Sequence, residues 1–432
     1  MLHLGMGSLG IKLLSGVLVL GSTILLARVL GPSAFGVYSF VYALAFLLMV
    51  PGELGLPQLV VRETARLRAG EHWALLGGLW RWSAMLSTAL CLLVTLIAGL
   101  GGWLLAARLG VMELATLGWG LLLVPLMVLS KLTGAGLRGL RRVLQGQLPE
   151  LVIRQTVLLV LVAAVLVFPV VSLTADLAMA LHVAGGVTAL TLGTWWLLRH
   201  RPPMLPAKPE LEYDSARWFA SAWPLALVAS MHMLLQHTDL VMLGWFSTSE
   251  NVGIYRVAVQ GAAIVGFGLN AMNMVVAPEF ARLYAGGDLA RLQRTVTNSA
   301  RVVLLLTLPI VVLLALFAGP VIVLVFGAEY SAGQFPLALL AAGQLGNALF
   351  GSVGFLLNMT GHERDAARGL VIAAVVNVML NLALIPALGV NGAALATAFS
   401  LIMWNVLLWR AVRIRLGIDS TALGLRPTQR WW

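Results

Sequence analysis

Charge is scarce in this chain. Only 10% of its 432 residues are Asp, Glu, Lys or Arg, where a soluble domain carries about 25%. Long polar stretches are also missing. The longest runs from Arg199 to Arg217 and is too short to fold alone. That excludes an ATPase, a receptor with an ectodomain and a polymerase that needs a large external loop. No G-x-x-x-x-G-K-[ST] phosphate loop occurs. The single cysteine, Cys91, has no partner for an intramolecular disulfide. His232 and His237 are five apart and do not share a helix face, and no Cys or carboxylate completes a metal-ligand spacing with them. Neither a metal nor a cofactor is expected.

What the chain has is apolar length. Hydrophobic residues make up 60% and the mean hydropathy is +0.94. Uncharged gaps of about 18 residues or more mark candidate spanning helices. Such gaps lie at 29–52, 82–107, 155–175, 177–198, 218–238, 257–278, 302–328, 330–362 and 369–409. The last is long enough for two helices and breaks at Pro386-Ala387-Leu388-Gly389. Segments 8–27, interrupted by Lys12, and 114–130, followed by Lys131, complete twelve. Helices satisfy their own backbone groups in hydrocarbon, and the alternating strands of a membrane barrel are absent. The fold class is therefore all-α, a polytopic membrane protein.

The net charge of +11 reflects topology and not a nucleic-acid partner. Of 28 Lys and Arg residues, 24 fall in the connections after helices 2, 4, 6, 8 and 10 and in the C-terminal tail. The loop after helix 4 is read as holding Lys131, Arg138, Arg141, Arg142 and Arg154. The opposite side has Arg28, Arg108 and Arg256, and Lys12 lies inside helix 1. Positive residues mark the cytoplasmic side, so both termini are expected there, in a cytoplasmic (inner) cell membrane. The proline-rich linker 199–217, with Pro202, Pro203, Pro206 and Pro209, separates a lobe at 1–198 from a lobe at 218–410, and 411–432 forms a tail. Trp195, Trp196, Trp218, Trp223 and the terminal Trp431-Trp432 are expected as interfacial anchors.

The two halves repeat. Phe35-Gly36-Val37-Tyr38 recurs as Val252-Gly253-Ile254-Tyr255, Glu63-Thr64-Ala65-Arg66-Leu67 as Glu279-Phe280-Ala281-Arg282-Leu283, and Gly70-Glu71 as Gly287-Asp288. The offsets are 217, 216 and 217. Six helices separate the copies, so both insert with the same orientation. This predicts two six-helix lobes related by a parallel repeat, with a substrate path between them. The E-x-A-R-L segments are expected as short helical extensions at the inner leaflet.

The stretch Leu26-Ala27-Arg28-Val29-Leu30-Gly31-Pro32-Ser33-Ala34-Phe35-Gly36-Val37-Tyr38 resembles the first-loop pattern of the polysaccharide-biosynthesis flippases, of the O-antigen and teichoic-acid type. These are a branch of the multidrug/oligosaccharidyl-lipid/polysaccharide exporter superfamily. Gly52-Glu53-Leu54-Gly55-Leu56 with Val61-Arg62-Glu63, and His237-Thr238-Asp239-Leu240-Val241-Met242-Leu243-Gly244, extend the resemblance over nearly the whole chain. It implies a non-enzymatic exporter that flips a polyprenyl-pyrophosphate-linked oligosaccharide between leaflets. The implied partners are that substrate, membrane lipids and other polysaccharide-assembly proteins. A proton- or sodium-coupled multidrug antiporter of the same superfamily is the alternative. A membrane-embedded glycosyltransferase is disfavoured, because Glu113, Asp176, Glu250 and Glu329 are dispersed over four loops.

Charges at membrane depth are functional candidates by default. Lys12 and Glu53 lie at similar distances from the first turn, near Ser33, and are expected to pair or to contact the headgroup. Asp239 and Arg256 flank the corresponding turn near Ser249, as a structural pair or an outer gate. Lys12, Arg28 and Arg256 favour an anionic substrate, and Glu53 and Asp239 are coupling candidates. The amides Asn270, Asn377 and Asn381 complete the set of substrate-binding or coupling candidates, Asn377 and Asn381 sharing one helix face.

Overall fold

The computed structural model describes residues 2–106, 110–168, 172–203 and 211–424, with side chains left out at 2–6 and 274. Arg108, Pro206, Lys208, Pro209, Arg426, Arg430, Trp431 and Trp432 lie outside the described residues. Among the described residues the regular structure is entirely helical. In chain order the elements are α1 Leu2–Glu53, α2 Leu56–Ala69, α3 Trp73–Leu104, α4 Val111–Gly139, α5 Val143–Leu148, a π-turn at Pro149–Ile153 and α6 Arg154–Val167. There follow α7 Ala175–Arg199, α8 Ser215–Phe246, α9 Ser249–Ala285, α10 Leu289–Val325 and a 3-10 turn at Ala328–Gly333. The last are α11 Gln334–Phe350, α12 Val353–Met359, α13 Glu363–Leu388 and α14 Val390–Leu416.

Eleven stretches among the described residues are long and apolar enough to cross a membrane. The first, Gly7–Glu53, has 47 residues. At 1.5 Å per residue it is about 70 Å long, more than twice a bilayer's hydrocarbon thickness of about 30 Å. It is broken at Gly31, whose φ of 71° and ψ of 172° are not helical. Only glycine takes that conformation without strain, and Pro32 follows it. Counted as two spans, it brings the total to twelve, and the chain is a multi-pass membrane protein.

The chain folds as two compact units, Met1–Met233 and Leu234–Trp432. The division falls inside α8. In the first unit, α2 packs Leu56, Leu59 and Val60 against Leu76 and Leu79 of α3, Leu132 of α4 and Trp218 of α8. Trp218 is only 2% exposed and its ring lies 5.4 Å from that of Trp82. It is a core residue and not the interfacial anchor expected, because the α2–α3 hairpin covers its apolar ring. Trp195 and Trp223 are exposed.

In the second unit, Val276, Phe280, Leu292, Val296, Leu356, Leu357, Leu408 and Val412 form a core. The segment after α14 is tied to it. Ile418 to Thr421 are buried, and Asp419 and Gln293 exchange two hydrogen bonds, at 2.6 and 2.7 Å. Trp409 donates to the Asp419 carboxylate at 2.9 Å.

Three residues assigned to the loop after helix 4 lie within spanning stretches. Lys131 and Arg138 belong to Val111–Gly139, and Arg154 sits near the middle of Val143–Val167. Counting charge-free gaps treats every charge as a boundary. A charge that finds polar partners is tolerated inside a span. Lys131 meets Glu53 and Arg154 meets Tyr42 and His182, whereas Arg138 lies in the last turn of α4.

Candidate functional site

Each unit has a buried polar centre, and a tyrosine of the repeated G-[VI]-Y belongs to each. In the first unit Tyr38 and Tyr42 are one helical turn apart on α1, which puts both rings on one face. His182 of α7 stacks against both, with centroids 6.2 and 4.8 Å away. Arg154 opens α6 directly after the π-turn. Gly185 lets α7 approach closely, because a Cβ there would lie 2.6 Å from the Arg154 carbonyl oxygen. That approach brings His182, one turn before Gly185, beside the guanidinium.

The hydrogen bonds define the centre. Arg154 Nη1 reaches Tyr42 Oη at 3.2 Å, His182 Nε2 at 2.9 Å and the Met127 sulfur at 3.6 Å. Its Nε donates to the Glu150 carbonyl at 3.4 Å. A guanidinium only donates, so His182 Nε2 accepts. The imidazole proton then sits on Nδ1 and is donated to Tyr38 Oη at 2.7 Å. Tyr42 accepts from Arg154, and its own proton is not donated to any group among the described residues. Nor does Nη2 of Arg154 meet an acceptor there. No carboxylate forms an ion pair with Arg154 among the described residues. Placing an arginine at mid-span costs about 2.5–3.5 kcal/mol on insertion scales. The centre therefore offers donors and a positive charge, which is what an anionic ligand needs. Beside it, Gln155 of α6 bonds Ser22 of α1.

The centre of the second unit is negative. Asp239 of α8 is buried and accepts from Tyr255 Oη at 2.6 Å, from Thr397 Oγ1 at 3.1 Å and from the Leu240 amide at 2.8 Å. Tyr255 comes from α9 and Thr397 from α14, so the carboxylate ties three helices together. Arg256, next to Tyr255, is half-buried.

The other candidates are placed as follows. Glu53 is buried, and its Oε1 receives Lys131 Nζ of α4 at 2.6 Å. The expected Lys12–Glu53 pair does not form. Lys12 is exposed and makes no ion pair among the described residues. The physical reason is that α4 supplies a half-buried ammonium, Lys131, at the Glu53 level. Arg28 is exposed on α1 just before the Gly31 break, and Asn270 is exposed on α9. Asn377 and Asn381 are buried on α13, where Asn381 Nδ2 donates to the Asn377 carbonyl at 2.9 Å and to its Oδ1 at 3.1 Å. That pair caps its own helix face, and Asn381 Oδ1 has no partner among the described residues.

Sequence reasoning missed Arg154, His182, Tyr42 and Lys131. A lone histidine in the apolar run 177–198 and a tyrosine pair at i, i+4 were readable signals. Among the described residues no three of His, Cys, Asp and Glu stand together as a metal site would require.

The family described as "Polysaccharide biosynthesis protein" matches residues 7–284. A Haloferax volcanii protein named "Probable low-salt glycan biosynthesis flippase" is 28% identical over 169 residues, 39% of this chain and 36% of its own length. Another from that organism, named "Probable flippase", is 30% identical over 176 residues, 40% of this chain and 37% of its length. These matches thus span about a third of each relative. Among solved structures, an inward-facing multidrug resistance transporter superposes with a TM-score of 0.73 at 14% identity, covering 96% of this chain and 98% of that one. Lipid II flippase MurJ superposes with a TM-score of 0.72 at 14% identity, covering 93% of this chain and 86% of that one. The fold of the chain is the fold of these transporters.

Proposed function

Because the chain belongs to the polysaccharide biosynthesis protein family, we propose that it flips a polyprenyl-pyrophosphate-linked oligosaccharide across the cytoplasmic membrane. The direction is from the inner to the outer leaflet, by alternating access of the halves 1–198 and 218–410. The arginine-rich ends then face the cytoplasm, as do both termini. The task breaks no covalent bond, so no enzyme chemistry is required. What it requires is a polar route for a headgroup that hydrocarbon would not accept.

The observation that carries the reading is the buried guanidinium of Arg154, which among the described residues has no carboxylate partner. A guanidinium matches two phosphate oxygens at once through its parallel N–H edges. Nη2 of Arg154 and the Tyr42 hydroxyl are the groups left to bind one. In this reading they hold the pyrophosphate, and Lys12 and Arg28 supply further positive charge along the path of α1. The relatives named as flippases support the substrate class. Asp239, held by Tyr255 and Thr397, is the candidate for ion coupling, with Arg256, Asn270, Asn377 and Asn381 as further candidates in the second half. Glu53 has a structural role here, because Lys131 neutralises it.

A buried carboxylate such as Asp239 also suits an ion-coupled multidrug antiporter, the second reading. Reconstituted vesicles separate the two. With a defined polyprenyl-pyrophosphate oligosaccharide, the wild-type chain should expose the sugar to an external lectin or glycosidase, and Arg154→Gln should not. Ion-driven efflux of a cationic dye, with no movement of the lipid-linked sugar, would overturn the flippase reading and favour the second. External labelling of a cysteine at Asn251, and none at Glu71, would support the stated orientation.

A further inference from the structure

At one end of the first unit a cavity of about 380 Å³ opens beside the ends of α2, α4 and α7. Its walls include Arg68, Arg142, Arg199, Arg201, His200 and Trp73, and among the described residues no carboxylate. Several arginines at other helix ends are paired. Arg66 meets Glu63 at 2.7 Å, Arg282 meets Glu279 at 2.6 Å and Arg415 meets Asp365 at 2.8 Å. Arg68, Arg142 and Arg199 make no ion pair among the described residues.

The cavity is also built, not merely a crowd of side chains. Arg68 Nη1 donates to the Leu140 carbonyl at 2.7 Å, so its head is fixed at the wall. Arg199 lies over the Trp195 ring, 5.4 Å from the centroid. His200 Nδ1 donates to the Trp196 carbonyl at 2.8 Å, which leaves Nε2 as its second polar atom. Trp73 and Pro202 add an apolar wall. Like charges gathered around one cavity repel unless an anion sits among them. The volume equals the liquid share of about a dozen waters, too roomy for a bare ion and adequate for a phosphodiester headgroup. The cavity lies where spanning helices end, at Gly139 and Arg199, and where one begins, at Trp73.

We propose that this cavity binds the phosphate of a lipid headgroup, holding it between the guanidinium groups with the start of its chain against Trp73. Basic cavities at the ends of membrane helices bind anionic headgroups through this combination of charge and shape. The phosphate could come from a bulk anionic phospholipid or from a polyprenyl carrier lipid. The site is distinct from the Arg154 centre, and the proposal does not depend on the flippase reading.

The test uses the full chain in detergent, stripped of lipid, and native mass spectrometry. The probes are dioleoylphosphatidylglycerol, polyprenyl diphosphate and, as a neutral control, phosphatidylcholine. The variant is Arg142→Gln with Arg199→Gln, both on exposed side chains. The charge-matched control is Arg291→Gln with Arg294→Gln, exposed on α10. A melting curve checks that each variant folds. Wild type should retain one lipid of net negative charge in preference to zwitterionic phosphatidylcholine, and the cavity variant should bind it about tenfold more weakly or worse, with the control unchanged. Retention of phosphatidylglycerol assigns the site to bulk phospholipid, and retention of polyprenyl diphosphate alone assigns it to the carrier. Equal loss in both variants would reduce the effect to general surface charge and overturn the proposal. So would a cavity variant that binds like wild type, or a wild type that retains neither lipid.

Discussion

Tyr38 and Tyr255 occupy the same place in the repeated G-[VI]-Y, one in each unit, and both point a hydroxyl at a buried ionisable side chain. Their partners differ in charge. Tyr38 accepts from His182, which is bonded in turn to the Arg154 guanidinium. Tyr255 donates to the Asp239 carboxylate. A hydroxyl can do either, so one inherited residue serves a positive centre in one half and a negative centre in the other. The duplication has kept the scaffold and inverted the electrostatics. The motif repeated as E-x-A-R-L shows the opposite outcome. Glu63 pairs with Arg66 and Glu279 with Arg282, the same i, i+3 contact in both copies. Positions outside the spans kept their chemistry, and positions inside diverged.

This contrast can be broken by experiment. The largest effect is expected from Arg154→Gln. It removes charge-assisted hydrogen bonds worth about 1.5–3 kcal/mol each, so the initial flipping rate in vesicles should fall about a hundredfold. Arg154→Lys, which keeps the charge but not the planar fork, should fall between. An unaltered rate in Arg154→Gln would mean that the first unit's positive centre only holds helices together.

Next comes the tyrosine pair. Tyr255→Phe leaves a buried carboxylate short of its shortest hydrogen bond. It should destabilise the protein by about 1.5–3 kcal/mol, read as a lowered thermal midpoint. Tyr38→Phe removes a bond to a neutral imidazole and should cost about 0.5–1.5 kcal/mol. Equal losses in the two variants would contradict the assignment of a charged partner to one tyrosine and a neutral one to the other.

The smallest effect concerns the repeated glutamates. Glu63 is buried between Arg62 and Arg66, whereas Glu279 is only partly buried, its side chain 34% exposed. Glu63→Gln should lower the midpoint at neutral pH, and Glu279→Gln should leave it unmoved, as exposed pairs contribute little. The Arg282 hydrogen bond, aided by its charge, holds the Glu279 carboxyl below the usual carboxylate range. Its contribution is therefore present above the ordinary glutamate value near pH 4.3 and is lost as pH falls through the depressed value. Comparing acid melts of wild type and Glu279→Gln reads this directly. A large neutral-pH shift in Glu279→Gln would show that the two copies are equally structural.

The spans and the repeat were legible because both are written in local pattern. Apolar length marks helices, and Gly31-Pro32 marks the break that divides the first long one. The positive centre was hidden for two reasons. Arg154 looks like the last charge of a basic loop, since Arg141, Arg142 and Glu150 precede it with no long charge-free run between. Its partner His182 is 28 residues further on, and Tyr38 is 144 residues from that histidine. Only packing brings them together. The same applies to Glu53 and Lys131, 78 residues apart. Asp239 was found because a carboxylate in an apolar run is conspicuous by itself, but the roles of Tyr255 and Thr397 were not. Trp218 misled because a tryptophan near the end of a span suits the interface as well as it suits a core.

The π-turn at Pro149–Ile153 gives the first unit a buffer against changes in chain length. A π-turn is an α-helix holding one residue more than its hydrogen-bond ladder needs, with the surplus bulged into the turn. In a regular α-helix each residue gained or lost rotates everything beyond it by about 100°. At the π-turn, deleting one codon would remove the bulge and leave α6 in phase with α5. Arg154 would keep the face that meets His182. A one-residue deletion that elsewhere in these helices would carry a buried arginine off its partners is absorbed here, beside the centre that depends most on helix phase.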